Sequence, residues 1–66
     1  MEERDIWRTA AFLIREHGED ARLVAARRAS ELQGQGDEPG TWVWIKIWRA
    51  IHTLNGEKPR KGEAVN

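Results

Sequence analysis

The chain has 66 residues, no cysteine, and eleven Lys and Arg against eleven Asp and Glu. This confines it to one small domain and excludes a second core, disulfide staples and thiolate metal sites. A formal net charge of zero gives no overall field to draw in DNA, an anionic membrane or an acidic substrate.

The start, Met-Glu-Glu-Arg-Asp, lacks the basic opening and apolar stretch of a signal peptide, and no apolar run approaches membrane-spanning length. A cytoplasmic location is expected. A first helix is predicted over residues 3–17, closing at His17-Gly18. It places Ile6, Trp7, Ala10, Leu13, Ile14 and His17 within a sector about 120° wide. Glu2, Glu3 and Asp5 suit its positive amino end.

A second helix is predicted over 21–33, with Asp20 as N-cap and Ala21, Ala25, Ala29 and Leu32 on one face up to Gly34. Small side chains let neighbours approach closely but bury little area each, so this helix depends on large residues from the other two. Arg27 and Arg28 flank the stripe.

The next segment, Thr41-Trp42-Val43-Trp44-Ile45-Lys46-Ile47-Trp48, is rich in β-formers. A strand there would have no second β-like run to pair with. Trp44, Ile47, Trp48, Ile51 and Leu54 instead follow a helical stripe, and Asp37-Glu38-Pro39 reads as a helix start, with Asp37 as cap and Pro39 in the first turn. A third helix is therefore predicted over 38–54. After Gly56 the chain is almost devoid of apolar residues, and 57–66 is expected to be a flexible, disordered polar tail. Connections of about 2 to 4 residues favour antiparallel neighbours. The expected fold is a small all-α, antiparallel three-helix domain over residues 1–56, with Trp7, Leu13, Ile14, Ala25, Leu32, Trp44, Ile47, Trp48, Ile51 and Leu54 supplying most of the core.

His17-Gly18, Ala21, Val24-Ala25, Arg28 and Leu32, then Gly36-Asp37, Gly40, Trp44, Ile47, Ala50-Ile51 and Leu54, form a pattern that resembles small proteobacterial proteins of a domain-of-unknown-function type, over roughly residues 6–55. The resemblance implies a compact helical fold and transfers no activity, cofactor or catalytic residue. Trp42 and the basic tail fall outside that pattern.

Projected at about 100° per residue, several large apolar side chains miss the core stripes. Phe12 points away from Ala10, Leu13 and Ile14. Trp42 and Ile45 fall on the side of the third helix that also carries Lys46, Arg49 and His52, and Leu23 is a weaker misfit on the second. Four of only five aromatic residues are Trp, and aromatic anchors bury much area with few rotatable bonds. The expected site is a protein-interaction surface of Phe12, Trp42, Ile45, Lys46, Trp48 and Arg49, with Trp42 and Ile45 as anchors, Lys46 and Arg49 as polar rim, and Trp48 bridging core and interface. The partner is a second copy, most simply in a homodimer, or another protein. Against this stands the plainer reading, in which Trp42 folds back onto its own helix and Phe12 is a scattered surface hydrophobe.

Nucleic-acid binding is the alternative, because Trp42, Lys46, Trp48 and Arg49 interleave basic and aromatic groups, with Arg27-Arg28 and Lys58-Pro59-Arg60-Lys61 available for phosphates. Charge disfavours it. Positive against negative residues number three to four through residue 18, three to three through 36, two to two through 56 and three to two beyond. An accessory or phage-type inhibitor of a larger protein is a further alternative, since such a binder needs a shaped surface rather than chemistry.

No enzyme is expected, and no catalytic residue, cofactor, metal or small-molecule substrate is assigned. His17 and His52 are the only histidines. The first suits a helix carboxyl end, the second a solvated flank, and they form no His-x-x-x-His pair. The stretch Gly34-Gln35-Gly36-Asp37-Glu38-Pro39-Gly40 lacks the Lys-Ser/Thr of a phosphate loop and carries acids, so it reads as a turn. Membrane association through Thr41–Leu54 is disfavoured, because only Lys46 and Arg49 there are basic.

Overall fold

The computed structural model describes residues 2–56, so the tail expected over 57–66 lies outside the described residues. Three α-helices account for almost all of them: α1 (Glu3–His17), α2 (Ala21–Gly34) and α3 (Glu38–Gly56), with one turn of 3-10 helix (Gly18–Asp20) joining α1 to α2. The β-rich run of residues 41–48 is helical throughout. Tertiary context overrides strand propensity here, because every apolar residue of the run that faces inward has a helical neighbour to bury against.

α3 is the central element, and most interhelical contact is made by α3 with α2 and α1, while α1 and α2 meet only slightly. Ile47 and Ile51 on α3 are completely buried. Around them cluster Ile6, Ala10 and Leu13 of α1, Ala21 and Ala25 of α2, and Ala50 of α3, with Ile14, Val24, Val43, Trp44, Trp48 and Leu54 packed at the margin. The small side chains of α2 bring its backbone close to α3, as the alanine stripe requires.

The core differs from expectation at Trp7, which is 39% exposed. The α1 stripe is centred on Ile6, Ala10 and Leu13, and Trp7 stands about 100° from Ile6, at the edge of that sector. Ile14, Leu32, Trp44, Trp48 and Leu54 are half-buried rather than buried. Leu13, Ala25, Ile47 and Ile51 are buried as expected, joined by Ile6, Ala10, Ala21, Ala29 and Ala50.

Helix ends follow the glycines. Gly18 adopts φ +57°, a conformation that L side chains rarely enter, and its N–H donates to the Ile14 carbonyl to close α1. Asp20 precedes α2 but makes no side-chain cap bond. The 3-10 turn before it already runs into the helix, with Ala21 N–H bonded to the Gly18 carbonyl. The cap of α3 is fully formed. Asp37 Oδ1 accepts from the Gly40 N–H at 3.0 Å, and Thr41 Oγ1 donates to the Asp37 carbonyl at 2.7 Å, which satisfies the buried hydroxyl.

A Cβ at position 40 would lie 2.5 Å from Asp37 Oδ2. Alanine in place of glycine in a helix ordinarily stabilises by about 0.5–1 kcal/mol. Here the added methyl displaces the capping carboxylate. Urea melts are expected to show that Asp37→Ala costs about 1 kcal/mol, that Gly40→Ala brings no gain in the wild-type chain, and that it stabilises in the Asp37→Ala background. Equal stabilisation in both backgrounds would contradict the steric account.

Candidate interaction surface

The six residues expected to form one surface are distributed by the fold over four places. Trp42 and Ile45 lie together on the outer side of α3, at a shallow groove whose other walls are Gln33, Gly36, Glu38, Pro39 and Thr41 at the α2–α3 turn. Trp42 is 61% exposed and Ile45 half-buried. The indole therefore does not fold back onto its own helix.

Lys46 and Arg49 face the neighbouring groove between α3 and the amino-terminal half of α1. Ile6 and Ala50 are its buried apolar elements, Trp7 is its exposed aromatic wall, and Glu3 and Thr53 complete it, enclosing about 540 Å³ open to solvent. Among the described residues the ion pair present is Arg28–Glu31 at 3.2 Å on exposed α2; Lys46 and Arg49 share their groove with the Glu3 carboxylate without forming a direct salt bridge to it. Sequence projection assigned Trp7 to the core and so missed it as a surface residue. Its position at the sector edge was the available signal.

Trp42, Lys46, Arg49 and Thr53 recur at spacings of four, three and four residues, which places them on one stripe along α3. The two grooves therefore adjoin on a single outer face. Trp48 is on another side. It is half-buried against the core and stacks on His52 with ring centroids 6.0 Å apart and planes 6° from parallel. Phe12, 52% exposed on α1, lines neither groove.

His52 is more than a solvated flank residue. Arg22 Nη1 of α2 lies 3.1 Å from its Nδ1. Because a guanidinium can only donate, Nδ1 is the acceptor and the ring proton resides on Nε2. The contact links the start of α2 to the last turns of α3. Sequence alone offered no signal for it, since it depends on the relative rotation of two helices.

Among the described residues no group of three or more His, Asp or Glu side chains is placed to hold a metal ion, and no helix is long and apolar enough to cross a membrane. The chain matches no family model, no curated protein and no solved structure.

Since Arg22 and His52 are both exposed, their contact contributes little net stability. Arg22→Ala and His52→Ala are each expected to change unfolding free energy by no more than about 0.5 kcal/mol. A double-mutant cycle giving several times that coupling would show the contact to be a main tie between α2 and α3.

Proposed function

We propose that this chain is a non-catalytic protein-interaction module that self-associates through the outer face of α3. The observation that carries the reading is the exposed indole of Trp42 beside Ile45, on the helix whose opposite face holds Ile47 and Ile51 at the centre of the core. A large aromatic held on a rigid helix, with cationic groups along the same stripe, has the composition of an interface anchor and its rim. Two-fold association is the simplest closed form that covers such a face. The same proposal includes a cytoplasmic setting and an antiparallel course of the helices, which the three-residue connections Gly18–Asp20 and 35–37 favour.

Capture of nucleic acid is the weaker reading, because the α3 stripe contributes only Lys46 and Arg49 and the described residues 2–56 carry no excess of positive charge. The resemblance to small proteobacterial proteins of unknown function agrees with a helical module and adds no activity to it.

Light scattering on a sizing column, run across a concentration series, tests the reading. The mass is expected to fall from dimer to monomer on dilution, and Trp42→Ser combined with Ile45→Ser is expected to leave a helical monomer at concentrations where the wild type is dimeric. A double variant that assembles as the wild type does contradicts the surface assignment.

A further inference from the structure

The last two residues of α3 are Asn55 and Gly56, the one place in the sequence where an asparagine precedes a glycine. Both are exposed. Within a helix the backbone holds the following amide nitrogen out of line with the asparagine side chain. Helix ends fray, however, so the final turn leaves that geometry more readily than any other part of the element. Glycine at the next position then matters, because with no Cβ it leaves its nitrogen unshielded and its backbone free to turn toward the side chain.

We infer that Asn55 is a site of spontaneous covalent modification, at which the side-chain amide is lost through cyclisation onto the Gly56 nitrogen. The Gly56 N–H gives its proton to solvent and the nitrogen attacks Asn55 Cγ, forming an N–Cγ bond. The bond from Cγ to Nδ2 breaks, and the amide leaves as ammonia after taking up a proton. Water then opens the succinimide. Opening at Cγ leaves an aspartyl residue, and opening at the main-chain carbonyl leaves an isoaspartyl residue. The balance is one water consumed and one ammonia released, with no oxidant or reductant. Gln33-Gly34 and Gln35-Gly36 have the same successor residue, but glutamine must close a ring one atom larger, which forms more slowly.

The product is poorly accommodated where it arises. A new carboxylate at the carboxyl end of a helix opposes the dipole, and no basic residue stands in the last turn of α3 to offset it. The isoaspartyl form also inserts a methylene into the main chain, which breaks the register of the helical hydrogen bonds. The final turn is therefore expected to unwind, and with it Thr53 at the end of the α1–α3 groove. Ile47 and Ile51, completely buried further up the helix, keep the core in place.

Ageing the full chain at neutral pH and body temperature, with ion exchange and peptide mapping by mass spectrometry, tests the inference. An acidic species is expected to accumulate, carrying the amide-to-acid mass change at Asn55 in both aspartyl and isoaspartyl forms. Gly56→Ala is expected to slow it at least roughly tenfold, a rise in barrier of about 1.4 kcal/mol. A Cβ at position 56 meets nothing within 4 Å, so this variant keeps the fold, which circular dichroism checks. The same chain in urea gives the rate for the unfolded state. An Asn55 that stays amidated in the native chain, whether or not it reacts in urea, overturns the inference. So does a mass change confined to Gln33 or Gln35, or a Gly56→Ala chain that is modified as fast as the wild type.

Discussion

The close approach of alanine-bearing helix faces to Ile47 and Ile51 is the contact on which the rest of this structure depends. Ala10, Ala21, Ala25 and Ala50 surround two isoleucines that are fully removed from solvent. An alanine core is economical in width and poor in buried area. In a 66-residue chain without cysteine, that leaves little surplus over conformational entropy. It also leaves no interior space for most of the large aromatics, whose positions follow from that shortage. Trp44 and Trp48 lie at the core margin, Trp7 walls the α1–α3 groove, and Phe12 and Trp42 are more than half exposed.

α3 consequently has two faces with separate duties. Its inner stripe of Ile47, Ala50 and Ile51 holds the fold, while its outer stripe of Trp42, Lys46, Arg49 and Thr53 is free of that task. Substitution on the outer stripe can alter association without dismantling the core. The cap at Asp37 and the tight fit of Gly40 fix where α3 starts, and so fix the rotation at which Trp42, one turn later, leaves the helix.

Much of this was legible in the residues themselves. Glycines mark the helix ends: Gly18 closes α1 with a positive φ that glycine enters freely, the chain turns after α2 at Gly36 with φ +79°, and Gly34 and Gly56 are the last helical residues of α2 and α3. The alanine stripe of α2 and the Ile47–Ile51 stripe of α3 followed from a period of about 3.6 residues. Helical periodicity in 41–48 outweighed β propensity. Exposure of Phe12 and Trp42 followed from projection alone.

What the residues did not disclose depends on how helices are rotated against one another. Trp7 sits at the sector boundary, where a small rotation of α1 decides between core and groove wall. One expected surface became two adjoining grooves, with Trp48 turned toward His52, because Lys46 and Arg49 face α1 while Trp42 and Ile45 face the α2–α3 turn. Asp20 is an apt cap by residue type, yet it is the last residue of the 3-10 turn that runs into α2, and its side chain makes no cap bond.

Hydroxyl-radical footprinting of the four tryptophans, read residue by residue by mass spectrometry on a dilute sample, tests the two-faced account of α3 most directly. The account predicts that Trp42 is oxidised fastest, Trp7 next, and Trp44 and Trp48 slowest. Oxidation of Trp42 as slow as that of Trp44 and Trp48 would place its indole against its own chain and contradict the account.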